Sequence, residues 1–239
     1  MFNIDAERGQ LIDTWKETFS DNWFSAPKAP IRALVDTNKT TFDMSFRHGH
    51  NLFGWKAGDT LAKRGLCSGA IYRTERFMNI DQDARCGSRG TEKNVHIEHT
   101  VPIAELNRQW IAYLKSHEAS IATAYAWMLC HSVSTAFHMN EMGGIKGYEG
   151  KTDAFDPTSS WFNRPFMRYT KKAEMPAIWN VLSGERIDYQ TWTFADHFAA
   201  VDKLFDLAGC AADEANLVRQ EAKRMIMDFE MADIVLRAA

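Results

Sequence analysis

The sequence predicts an α+β fold, largely helical around a small core of strands, and three observations lead there. Apolar residues recur at helical spacing through 212–236, and residues 94–99 alternate as a short strand does. The chain has 239 residues, 45% of them hydrophobic and 12% aromatic, which is apolar surface enough for a full core. No repeat, low-complexity tract or Pro/Gly/Ser-rich linker marks a boundary, so residues 1–239 read as one elaborated domain. Within it, 1–93 is a mixed, mainly helical lead-in, 94–175 holds the chemistry and 176–239 supplies C-terminal helices.

In the lead-in the pattern predicts a helix over about 5–20, loops around Asn51 to Gly58 and a helical stretch over about 59–79. The basic residues Lys63, Arg64, Arg73, Arg76, Arg85, Arg89 and Lys93 outnumber Glu75, Asp81, Asp83 and Glu92 there. A formal net charge of -3 and a sequence pI near 6.2 exclude a generally basic, DNA-coating surface. Any phosphate contact must come from a local patch, and Arg85, Arg89 and Lys93 are its candidates.

The segment NVHIEH at 94–99 places His96 and Glu98 on one face of a strand and Ile97 and His99 on the other. Pro102 cannot donate to a ladder, so Thr100 to Pro102 is read as the loop leaving it. A helix comes next, with Ile103, Leu106, Trp110 and Leu114 on one face. The apolar run 124–133 is expected to be the second strand, pairing with 94–99 through 126–133. Ser134 and Thr135 would then cap a short helix from about Ala136, closed by Gly143-Gly144, with His138 and Glu141 three apart on its face.

The last helix carries Val218, Ala222, Met225, Phe229, Ala232 and Leu236 as one stripe, with Arg219, Glu221, Lys223, Arg224, Asp228, Glu230 and Asp233 between its members. Docking on the core is its expected duty, and a homodimer seam is the alternative.

The N-terminal segment is acidic and has no apolar h-region. The most apolar stretch, 121–130, is far shorter than the roughly 20 residues a membrane span requires. The expectation is a cytoplasmic protein with no membrane partner. Cysteines 67, 86, 130 and 210 include no C-x-x-C pair and read as reduced, mostly buried thiols; a zinc site using Cys67 and Cys86 with later ligands is the alternative.

The ordered combination in 94–175 resembles a known family. NVHIEHTVPIAEL resembles the first half of the ββα-metal, or His-Asn-His, endonuclease motif, in which an acidic residue is followed directly by histidine and then by a proline. MLCHSVSTAFHMNE resembles its second half, and FNRPFMRY at 162–169 resembles a basic-aromatic segment downstream in some bacterial and phage members. The resemblance implies a ββα-metal core and a divalent-metal-dependent endonuclease acting on DNA, in a restriction, phage or mobile-element setting. It implies Glu98 as a metal ligand, His99 as general base and His138 as second ligand, the metal being Mg2+ with Mn2+ or Zn2+ as alternatives. The helix between His99 and His138 is then an insertion, and Asn107 and Asn140 are the candidates for the bracing asparagine.

Phosphodiester hydrolysis needs an activated water and a Lewis acid on the phosphoryl oxygens, and this residue set supplies a proton acceptor and an oxygen ligand. Arg164 and Arg168, interleaved with Trp161, Phe162, Phe166 and Tyr169, could contact the DNA backbone or stack on a base. Plainer readings are a strand flank for His96, a core position beside Cys130 for His131, and a loop for His48 and His50. A DNA-binding protein without cutting activity and a helical interaction protein are the competing functions.

Overall fold

The computed structural model describes residues 2–19, 22–54, 66–87, 93–142, 153–171 and 174–238. Among them, helices alternate with short strands that form a mixed five-stranded sheet, an α+β arrangement. Lys63, Arg64 and Arg89, the Gly143-Gly144 stop and the first part of the predicted 59–79 helix lie outside the described residues.

Helix α1 (Ile4–Thr18) begins where the Asn3 side chain accepts from the backbone N–H groups of Asp5 and Ala6, and it buries Leu11 and Trp15. Helix α2 (Ala29–Leu34) carries proline in its first turn, and α3 (Asp43–Gly54) comes next. At Gly49 of α3 a Cβ would meet the flexible end of the Met128 side chain, which would have to move aside.

Strand β1 (Tyr72–Thr74) then runs into the single helical turn α4 (Glu75–Met78), capped by Thr74. In 66–79 these elements replace the predicted helix. Cys67 adopts a left-handed φ of 57°, which turns the chain, and all three residues of β1 are buried at the middle of the sheet.

Strand β2 (Val95–His99) leads through Pro102 into α5 (Ile103–Leu114), as predicted. The run expected to be a strand is instead α6 (Ile121–His131), whose Ser120 and Thr123 form a reciprocal capping box. Every residue from Ala122 to His131 is buried, and a helix apolar all round has no periodicity to separate it from a buried strand. The second strand comes immediately afterwards as β3 (Ser134–His138), where a helix was expected. A single 3-10 turn, Met139–Glu141, closes this stretch.

Strands β4 (Ile178–Asn180) and β5 (Glu185–Arg186) complete the sheet in the order β2-β3-β1-β4-β5, with β1 and β3 parallel and all other neighbours antiparallel. β2 is therefore an edge strand. Helix α7 (Phe194–Ala208) packs on α1 and α6 and ends at the left-handed Gly209; α8 (Ala212–Ala238) packs on α6 and α7. Val218, Ala222 and Met225 of α8 are buried as the stripe predicts, and Phe229 joins an aromatic cluster with Phe155, Phe162 and Phe194. No helix among the described residues is long and apolar enough to cross a membrane.

Candidate active site

The site begins with strand register. β2 and β3 pair antiparallel, with Val95 opposite His138, Glu98 opposite Thr135 and His99 opposite Ser134. Val95 and Ile97 face the core, so His96 and Glu98 look to the other side, as the alternation predicts.

The end of β2 is held by one guanidinium. Arg168 Nη1 donates to the backbone carbonyls of His99 at 2.8 Å and Thr100 at 2.9 Å, and its Nη2 lies 3.3 Å from Glu98 Oε1. The next residue adds a second brace: Tyr169 Oη donates to Thr100 Oγ1 at 3.1 Å, and the Thr100 and Thr135 hydroxyls are 2.8 Å apart. Pro102 accepts the first backbone bonds of α5, from Glu105 and Leu106, so the chain leaves the site along a fixed helix axis. Glu98 is thus a carboxylate of fixed orientation at a strand terminus.

Burial pushes the His99 imidazole down to about 4, with Arg47, His96 and Arg168 adding positive field. His96 is also lowered to about 4, by burial and then by Lys93, whose Nζ is 3.2 Å from its Nδ1. Both rings are neutral at pH 7, and neutral imidazole is the form that accepts a proton or a metal. Arg47 on α3 is exposed, and Lys93 is partly so. Arg47 thus lies near the His99 end of the strand, while Lys93 stands beside His96 nearer its start.

His138 does not join this site. It sits at the far end of β3, roughly 13 Å along the strand from the His99 register and off the face that carries Glu98. Its Nδ1 accepts from the backbone of Asn140 at 3.0 Å, and its own N–H donates to Glu141 Oε2, which also accepts from Thr74 Oγ1 at 2.6 Å. The expected Glu98–His138 ligand pair is corrected on this ground: antiparallel pairing puts the two residues at separated rungs. Asn107 accepts from the backbone N–H of Phe42 at 2.7 Å and so ties α5 to the start of α3 rather than bracing the β2–α5 loop.

Three of the expected DNA contacts are internal. Arg85 is buried against Glu7, Nη2 to Oε1 at 2.5 Å, beside Arg73, which pairs with the same carboxylate. Burial alone would raise the Glu7 carboxyl, but the two guanidiniums hold it below the usual range. Arg164 bonds the carbonyls of Gln190 and Asn163 and reaches Asp233 at 3.1 Å. Arg168 is the brace described above. Local excess of Arg reads as a surface patch only while its partners are unknown, and Glu7 and Asp233 are remote in sequence. Among the described members of the expected set, Lys93 is the one that stays near solvent.

Among the described residues no group of three or more His, Cys, Asp or Glu side chains could hold a metal ion. Glu98 and His99 are successive residues whose side chains leave β2 on opposite faces, and a single carboxylate such as Glu98 suits a hard cation that keeps most of its water shell, as Mg2+ does, better than a closed zinc site. Compared with family models, curated proteins and solved structures, the chain matches none.

Two residues of the site escape sequence reasoning. Arg47 lies in SFRHGH, where the paired histidines are the conspicuous feature and the arginine is not. Thr135 has the look of a helix cap, yet it is a strand residue opposite Glu98 whose hydroxyl meets that of Thr100. Neither has a local signal, since both act through pairing across the fold. His131 is a core residue, ringed by Trp127, Phe155, Phe194 and Phe229.

Proposed function

We propose that the protein is a divalent-metal-dependent endonuclease of His-Asn-His type that hydrolyses DNA phosphodiester bonds at the end of β2, in a cytoplasmic setting. One observation carries the reading: a carboxylate oriented by Arg168 and a neutral imidazole occupy successive positions, on opposite faces, at the end of an edge strand, with the exposed Arg47 near the ring. Glu98 would hold the cation, which supplies Lewis-acid stabilisation of the phosphoryl and leaving oxygens. His99, neutral at physiological pH, takes the proton of the attacking water. Arg47 binds phosphate near the scissile bond and Lys93, beside His96, binds phosphate further along the strand, taking the part expected of Arg85 and Arg164.

The 3.3 Å contact between Glu98 and Arg168 favours a second reading, in which the guanidinium occupies the carboxylate and the protein binds DNA without cutting it. Incubation of the purified chain with plasmid, phage and single-stranded DNA in Mg2+, Mn2+ or EDTA separates the two. Nicking or linearisation in Mg2+ that vanishes in EDTA and in His99→Ala supports the nuclease. Retention of DNA with no cleavage in either metal supports the binding module. Neither cutting nor binding overturns both.

A further inference from the structure

Helix α8 has two apolar faces, and the fold uses only one. Val218, Ala222 and Met225 are buried, while Met227, Met231, Ile234 and Val235 of the same helix are 59–63% exposed, and Leu217, nearer its start, is 47% exposed. At 100° per residue these five lie on one outward stripe, about 100° wide, centred near the direction of Gln220. Asp228 borders it on one side, with Arg224 just inside that edge; Lys223 and Glu230 border it on the other, all four exposed.

We propose that this stripe is the seam of a homodimer in which α8 pairs antiparallel with α8 of a second copy. The argument is self-complementarity. Across a two-fold axis each flank meets its own copy, and residue i opposes residue j wherever j opposes i. One register satisfies both flanks together: with Met227 beside the axis, Arg224 faces the partner's Asp228, and Lys223 faces the partner's Glu230. The same register sets Leu217 opposite the partner's Val235, and it lays Met231 over the aliphatic stem of the partner's Gln220. Centring the axis on Met231 instead would seat Asp228 against Ile234 and leave Arg224 with no carboxylate opposite. Charge and apolar pattern therefore select the same pairing, the logic by which flanking charges set helix orientation in coiled coils. Arg224 also donates to Tyr113 Oη and Glu221 on its own chain, and its planar fork has further N–H groups for a carboxylate across the seam.

Sedimentation of the full chain over a concentration series tests this. The expected species has twice the 27.3 kDa chain mass. Met227→Glu is expected to give a monomer whose circular-dichroism melt matches the wild type, since this side chain is 61% exposed in the isolated fold. Lys223→Glu sets like charges across one flank and is expected to raise the dissociation constant by roughly tenfold. Combining Lys223→Glu with Glu230→Lys restores the pair in inverted order and is expected to recover dimerisation. A wild-type monomer at every concentration overturns the proposal, as does a dimer indifferent to Met227→Glu. Failure of the inverted pair to recover what Lys223→Glu loses overturns the antiparallel register.

Discussion

Arg168 and His99 are joined through the backbone rather than through the imidazole: the guanidinium donates to the His99 carbonyl at 2.8 Å and leaves the ring to its own side of the strand. A residue expected to touch DNA thereby sets the position of the proposed base. Replacing it with lysine keeps the charge but gives up the planar fork that serves two carbonyls and a carboxylate together. Arg168→Lys is expected to lower the cleavage rate while DNA affinity, read by electrophoretic mobility shift, stays close to wild type. A parallel fall in affinity would return Arg168 to the DNA-contact role.

The buried Glu7–Arg73–Arg85 cluster makes a different prediction for Arg85. With its guanidinium enclosed, Arg85→Glu sets two carboxylates together, and the expected result is loss of roughly 3–5 kcal/mol of stability or failure to fold. Urea denaturation measures it. A variant that folds like the wild type and loses only DNA binding would show that the side chain reaches solvent.

Register separates the two histidines of the motif. His99→Ala removes the proposed proton acceptor, and cleavage is expected to fall by about 10²–10⁴ with the fold intact. His138→Ala loses one contact to the Asn140 backbone and is expected to leave the Mg2+ dependence of cleavage unchanged. Titrating Mg2+ against initial rate for both variants checks this, and a raised metal requirement in His138→Ala would contradict the strand pairing.

Acid should unfold the protein through its core histidines. His131 and His197 are both lowered by burial to about 3. The unfolded chain protonates such rings below about pH 6.5, so between these limits the unfolded state binds more protons. Their contribution is complete above pH 6.5 and is lost as pH falls toward 3, at up to about 1.4 kcal/mol per pH unit for each ring. Urea midpoints measured from pH 7 to pH 4 are expected to fall steadily. His197→Gln, which keeps a polar partner near Tyr72 Oη, is expected to flatten that slope.

Legibility in the sequence depends on which signals are local. Alternation in VHIEH and the stop at Pro102 are properties of neighbouring residues, and β2 and α5 lie where they predict. The docking stripe of α8 is equally local, and Val218 and Met225 are buried accordingly. The run 124–133 is illegible because complete burial erases the contrast between periods of 2 and 3.6, and reading it as a strand displaces the true second strand by one element. Of the site, Glu98 and His99 are visible in sequence. The partners of Arg85, Arg164 and Arg168 are not, because the choice between an internal ion pair and a surface cation is made by residues dozens of positions away.

The pairing of β2 with β3 encloses α5 and α6, so what would be a tight turn in a simple hairpin is here two helices long. Closing so large a loop costs more conformational entropy than a tight turn does, and the docking of those helices helps to offset it. The strand end bearing Glu98 and His99 is therefore placed by contacts from residues 134–138 and 168–169, far along the chain. Before β3 pairs with β2, Glu98 and His99 lack the strand partners Thr135 and Ser134 that place them. For a protein proposed to cut DNA, the proposed site is thus tied to long-range pairing rather than to the local motif alone.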